Sequence, residues 1–191
     1  NLLIADEEKG IALAGVMGGL NTEIKEGTED VLLESAYFNP TNIRATSKAT
    51  RLHTDASYRF ERGADIGATD WVSQRAAQLI VETAGGQLSK GAVDAVPAPT
   101  QQTEITLRHQ KVGELLGISL TSQENVGYLT GLELEAVQTS EDAATFRIPT
   151  WRVDLKRETD LIEEVCRLHG VDKIPATQPR GVVGENAFDP V

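Results

Sequence analysis

The sequence predicts an α+β chain in two successive parts, and three observations carry that prediction. Short apolar runs bounded by turn residues read as strands. Between them, paired start and stop signals frame helices. A proline-stiffened stretch, Ala95-Val96-Pro97-Ala98-Pro99-Thr100-Gln101-Gln102, has nothing that can pack and separates the two parts. No internal repeat or low-complexity segment interrupts the pattern.

Leu2 to Ala5 and Ile11 to Val16 are expected to be strands flanking the turn Asp6-Glu7-Glu8-Lys9-Gly10, a hairpin. Val31 to Phe38 reads as a further strand, apolar enough to be covered on both faces. Asn39-Pro40 opens a helix, Asn as N-cap and Pro at the first helical position, running to about Leu52. A longer helix is expected from about Ala68 to Ala84. Trp71, Val72, Ala76, Leu79, Ile80 and Thr83 fall at helical spacing in it, and Gly85-Gly86 stops it. Past the linker, Glu104 to Leu107 suggests a strand and Lys111 to Leu116 a short helix ended by Gly117. Thr121-Ser122-Gln123-Glu124 is a capping box that opens another helix. Glu133 to Gln138 and Ala144 to Pro149 form a strand pair around a polar turn, and a last helix runs from about Glu158 to His169 before Gly170.

The 191 residues are 40% hydrophobic and 25% charged, ordinary globular material with enough length for one large or two small domains. No apolar run approaches the roughly 20 residues of a membrane span. With no initiator Met and no basic-then-apolar leader, no signal peptide is expected, and Asn1 and Val191 read as cuts within a longer polypeptide. The lone Cys166 leaves no intrachain disulfide and no multi-cysteine zinc site, which suits a reducing cytoplasm. A net charge of −11 argues against a broad nonspecific grip on nucleic acid, while leaving room for local contacts through Arg44, Lys48 and Arg51.

One constellation is a small-residue turn, Gly15-Val16-Met17-Gly18-Gly19, with Glu34 and the run Leu52 to Asp65. Alternation in Val31 to Ala36 sets Glu34 beside Leu32 and Ala36. An acid so placed needs a partner. The residues alone leave two readings open: a salt bridge to an arginine, or a carboxylate aimed into a pocket to accept a ligand hydroxyl. Glycines at 15, 18 and 19 permit unusual backbone angles and close approach of a ligand to main-chain amides. His53, Asp55 and Ser57 alternate, but on a strand neighbouring members stand roughly 6.5 Å apart, too far for a catalytic triad.

In order and approximate spacing, Ala12 to Gly19, Leu33-Glu34-Ser35-Ala36, Pro40 with Ile43-Arg44, and Thr54 to Asp65 resemble the bacterial-type phenylalanyl-tRNA synthetase beta-chain family. The likeness runs from about Ala5 to Pro175. It implies the second half of a domain that hydrolyses tyrosine mischarged onto phenylalanine tRNA. Carried over by position, Glu34 accepts the tyrosine phenol hydroxyl. Ala14, Gly15 and Gly18 line the pocket with backbone, and Thr54 and Ala56 form the opposite wall. A site built to hydrogen-bond that hydroxyl can discriminate by about 10⁴, because phenylalanine leaves its acceptor unpaired. No side chain is an evident nucleophile or base, so a positioned water is the expected attacker. Two departures follow. The family has Gly-Leu where this chain has Arg51-Leu52, at the expected helix exit. The upstream half of the domain, with further pocket residues, lies outside this sequence, so the fragment is expected not to edit alone.

The other constellation is Thr150 to Val165. On a helix Asp160, Glu163 and Glu164 share a face, Asp154 precedes it, and Leu161, Val165 and Leu168 face inward with Ile162 and Cys166 beside them. Acids so gathered repel unless a cation or an arginine is present, and hard oxygen ligands suit magnesium. The alternatives are a helix-dipole complement or a solvated face. The resemblance implies a magnesium site made by Asp154, Asp160, Glu163 and Glu164, shared with an alpha chain.

Two short helices followed by a strand pair give the later part a winged-helix-like shape, but Thr103 to Gly170 carries no basic stripe, so sequence-specific DNA binding is not expected. The resemblance divides the chain into an editing-domain part at 1–96, a linker at 97–102, a small domain at 103–175 and a second linker at 176–191. It further implies a cytoplasmic class II ligase of two alpha and two beta chains that binds phenylalanine tRNA and no membrane. ATP is used by the parent enzyme and not bound by this fragment. The competing expectation is an inert subunit-docking or nucleic-acid-binding module.

Overall fold

The computed structural model describes residues 1–97, 99, 101–176, 178 and 181. Part of the expected linker, Ala98 and Thr100, and nearly all of the expected segment 176–191 lie outside the described residues. The fold is mixed α+β, with two three-stranded antiparallel sheets. It divides into two compact units: Asn1–Thr103 with Ile148–Lys156, and Glu104–Arg147 with the chain from Arg157 onward.

In the first unit, β1 (Leu3–Ala5), β2 (Gly10–Leu13) and β3 (Met17–Gly18) form a meander. Asp6 makes the first turn, its carboxylate accepting the Glu8 and Lys9 N–H groups at 2.8 and 2.7 Å. Those two donors hold its carboxyl below the usual range. Helix α1 (Pro40–Thr50) starts as expected, Asn39 Oδ1 accepting from the Thr41 and Asn42 N–H groups. It ends on Arg51 in the left-handed region, φ 57°, a conformation that glycine adopts without strain. At the helix exit Arg51 thus closes α1 in a left-handed cap. A short helix, α2 (Asp55–Phe60), follows, and then α3 (Thr69–Ala84), closed at Gly85. The core is small: buried Ala14, Val16, Phe38 and Ile43, with Ile4, Leu13, Leu52 and Phe60 packed against them and Phe38 edge-on to Phe60.

One expectation fails here. Residues 31 to 38 form no strand. The run has strand-like composition, but a strand exists only by exchanging hydrogen bonds with a neighbour. The meander does not extend to it, and Leu32 is 99% exposed instead of covered on both faces. The apolar spacing of α3 is real, yet no residue of that helix is buried, and Trp71 is 61% exposed.

In the second unit β4 (Glu104–Arg108), β5 (Glu135–Thr139) and β6 (Ala143–Arg147) form a sheet in the order β4-β6-β5, between which the chain passes through α4 (His109–Leu116) and α5 (Ser122–Thr130). Burial alternates along β4 and β6, so Ile105, Leu107, Ala144 and Phe146 present one face to α6 (Glu158–His169) and α5. From α6, Leu161, Ile162 and Val165 enter that core as their spacing predicts, whereas Leu168 stays 37% exposed. Local signals hold throughout: the Thr121 and Glu124 capping box, Gly117 left-handed at φ 69°, and the stop at Gly170.

Candidate functional site

Thr54 is the N-cap of α2. Its hydroxyl accepts the Ser57 N–H at 3.0 Å, while the Ser57 hydroxyl accepts the Thr54 N–H at 2.9 Å. That is the logic of a capping box with Ser in the third position. The same Thr54 hydroxyl donates to the Val16 carbonyl at 2.6 Å. One side chain thus ties the start of α2 to the small-residue turn, 38 positions earlier in the chain. Ala56, one step into the helix, stays exposed.

This local helix also disposes of the His53, Asp55 and Ser57 alternation. Ser57 is buried and committed to the cap, and Asp55 is exposed. His53 lies 3.2 Å from the Ser47 hydroxyl, which itself donates to the Leu52 carbonyl. Sequence reading missed α2, although Thr54-x-x-Ser57 ahead of it is a legible N-cap pattern.

The three glycines of the turn differ in purpose. Gly15 is left-handed, φ +66°, and a Cβ there would meet Phe38 at 2.8 Å and Ile43 at 2.9 Å. Its smallness serves the core. A Cβ on Gly19 would strike the Ile11 carbonyl, while at Gly18 it would meet open space. Only Gly18 therefore fits the expected open wall, and Ala14, at 1% exposure, is part of the core.

Glu34 is exposed, because the strand that was to bury it does not form. Among the described residues no ion pair with an arginine answers it. The neighbouring Ser35 hydroxyl instead donates to the Thr69 carbonyl at 2.7 Å, tying this segment to the start of α3. The structure therefore joins Thr54 to the Gly15–Gly18 turn and leaves Glu34 on the surface. The first unit also holds an open cleft of about 610 Å³ lined by Tyr37, Arg44, Arg62, Val153 and others; none of the six expected pocket residues borders it.

On α6, Asp160 accepts the Arg157 N–H at 2.8 Å and its guanidinium at 3.3 Å. Glu164 is paired with Arg167, and Glu163 is exposed. In the first unit Asp154 takes two hydrogen bonds from Arg152, at 3.0 and 2.7 Å, which hold its carboxyl below the usual range. Arginine is thus the counter-charge of three of the four acids. Among the described residues no group of three acidic, histidine or cysteine side chains is placed to hold a metal ion.

The most engaged carboxylate of α6 is one that sequence reading did not single out. Glu158 accepts the Arg108 N–H at 2.9 Å and the Arg108 guanidinium through both its oxygens, clamping the β4–α4 junction to the start of α6. Those hydrogen bonds hold the Glu158 carboxyl below its ordinary range. A folded-state value below the unfolded one means stabilisation that is complete above the unfolded value, near pH 4.5, and lost as pH falls through the folded value. Acid titration of thermal unfolding should therefore show a loss of stability below about pH 4.5 that is smaller in Glu158→Gln, Asp6, Glu124 and Asp154 supplying the remainder. Identical pH profiles for the two proteins would refute the clamp. No cue at a separation of 50 residues marks this pair in the sequence.

Comparison with known proteins bears on the whole chain. Residues 1–85 match the family model of the B3/4 domain, and residues 105–171 match that of the tRNA synthetase B5 domain. The phenylalanine-tRNA ligase beta subunit of Geobacter metallireducens is 46% identical over 183 residues, covering 96% of this chain and 23% of that protein. That of Syntrophotalea carbinolica is 47% identical over 184 residues (95% and 23%), and that of Salinibacter ruber 48% identical over 174 (91% and 21%). The chain spans about a quarter of the length of these relatives. With a B3/4 segment followed by a B5 segment, and homology along nearly all its length, the chain belongs to the phenylalanine-tRNA ligase beta-subunit family.

Proposed function

We propose that this chain serves phenylalanyl-tRNA synthesis as the part of a beta subunit that removes tyrosine mischarged onto phenylalanine tRNA. The observation that carries the reading is the Thr54 to Val16 hydrogen bond, which holds together the two segments that the pocket needs as its walls. Gly18 and Ala56 are open, as wall positions must be, and Glu34 is exposed and able to accept a phenol hydroxyl. Hydrolysis then uses a positioned water, since His53 and Ser57 are engaged in local hydrogen bonds. The division into an editing part at 1–96 and a small domain at 103–175 belongs to the same reading, supported by family matches on either side of residues 97–102.

Titration calorimetry with free amino acids tests the pocket. Tyrosine is expected to bind and phenylalanine not, with tyrosine binding lost in Glu34→Ala. Equal behaviour of the two amino acids would support the competing reading, a docking module without a working site. That alternative draws on the uncovered apolar residues of α3, Trp71, Val72, Leu79 and Ile80.

The magnesium assignment belongs to this reading as well. Its support is the shared face of Asp160, Glu163 and Glu164 on α6; its cost is displacement of Arg157 and Arg167 from their carboxylates. Magnesium-dependent association with an alpha chain should disappear in Asp160→Ala/Glu164→Ala. An unchanged magnesium response would leave these acids as arginine partners only. The alpha subunit and phenylalanine tRNA are the partners that the reading calls for. No helix among the described residues is long and apolar enough to cross a membrane.

A further inference from the structure

The acids of α6 divide by what answers them. Asp160 accepts at both of its oxygens, Oδ2 from the Arg157 N–H at 2.8 Å and Oδ1 from the Arg157 guanidinium at 3.3 Å. The first of these bonds belongs to the capping box that opens the helix. Nearer the other end, Arg167 reaches back three residues, its Nε donating to Glu164 Oε2 at 3.1 Å and its terminal nitrogen to the same oxygen. Along the chain the order is therefore cation, acid, acid, cation. Glu163, between the two acids, is exposed and joins no ion pair among the described residues. All five residues belong to the second unit.

Exposure within these pairs has a direction. The Arg157 and Arg167 side chains are 78% and 57% exposed, against 17% and 12% for Asp160 and Glu164. The guanidiniums are the solvent side of each pair, and the carboxylates the covered side. A hydrated cation approaching this face of α6 meets arginine first. Among the five residues, three acids against two arginines leave one negative charge to attract it. Magnesium gives up its water reluctantly and asks for octahedral oxygen ligands. Among the described residues no three acidic, histidine or cysteine side chains are placed to hold a metal ion. The Asp160 oxygen that caps α6 cannot turn to a metal without uncapping the helix.

We infer that Arg157 and Arg167 lock the acids of α6, so that this chain on its own holds no magnesium ion on that face. The inference rests on the reading above for the identity of the ion, and it makes that site conditional. The two guanidiniums leave Asp160 and Glu164 before a metal ion reaches them.

Magnesium chloride titrated into the full chain, followed by amide NMR, tests it. In the parent the amides of Asp160, Glu163 and Glu164 should show no saturable shift through the millimolar range. Arg157→Gln/Arg167→Gln should show saturable shifts at those amides, with an affinity at least about tenfold above the parent's, because each removed cation repelled a divalent ion at close range. Adding Asp160→Asn/Glu164→Gln to that variant should abolish the shifts. Arg157→Lys/Arg167→Lys keeps both charges and should stay with the parent. Every variant retains the main-chain N–H of residue 157 that caps α6, and circular dichroism checks that each is folded. Binding by the parent as tight as by the arginine-free variant overturns the inference, and so does absence of binding by that variant. Failure of the magnesium reading shows elsewhere, as association with an alpha chain that ignores magnesium while the contrast between parent and arginine-free chain persists.

Discussion

Phe146→Ala is expected to remove about 3–5 kcal/mol from the second unit. Phe146 is fully buried on β6, the middle strand of its sheet, in register with Ile105 on β4 and Ala136 on β5. Truncation empties a ring-sized volume between the sheet and the helices packed on it. Strands paired on both sides cannot move in to fill that volume without breaking their ladders. For a unit of this size the loss should lower the unfolding midpoint by more than about 10 °C, measured by circular dichroism. Phe146→Leu keeps most of the volume and should cost no more than about 1.5 kcal/mol. A midpoint shift of a degree or two for the alanine variant would show that this position is not the centre of the core.

Gly15→Val is expected to destabilise the first unit by about 2–4 kcal/mol, the sum of left-handed strain and overpacking. Two independent penalties act at one atom. The backbone is at φ +66°, and the new Cβ would stand 2.8 Å from Phe38 and 2.9 Å from Ile43. Neither neighbour has room to retreat, since Ile43 is fully buried and Phe38 lies against Phe60. Gly18→Ala is the matched control, because a Cβ there meets nothing within 4 Å. Chemical denaturation of the two variants should separate them clearly. Equal stabilities would mean that Gly15 is present for ligand access and not for packing. Activity comparisons at Gly15 therefore need the stability measured alongside, whereas a change at Gly18 reports on the open side of the turn directly.

Most helices were legible because their signals are short-range. Asn39 with Pro40, Thr121 with Glu124, and the glycines at 85, 117 and 170 act on backbone groups within a turn of themselves. Helix α2 was equally local but obscured, because Ser and not Glu completes the box of Thr54 and the run invited comparison with a strand. The site was legible in outline only. The resemblance points to Thr54 as a wall residue, yet its bond to Val16 spans 38 positions and leaves no trace in composition or period.

By itself, the sequence determined the α+β class, the presence of most helices, the hairpin at the start and the family to which the chain belongs. Each of these depends on residues within a few positions of one another or on residue identity alone. Only the tertiary structure decided that residues 31 to 38 lack a ladder partner and that Glu34 is consequently exposed. It alone showed Gly15 serving the core, Arg108 clamping Glu158, and arginines answering Asp154, Asp160 and Glu164. Strand pairing and burial require a second surface from elsewhere in the chain, and periodicity can specify only the first. Rows of exposed side chains obey the same division. The helical period aligns Arg44 with Lys48, and neither joins an ion pair among the described residues.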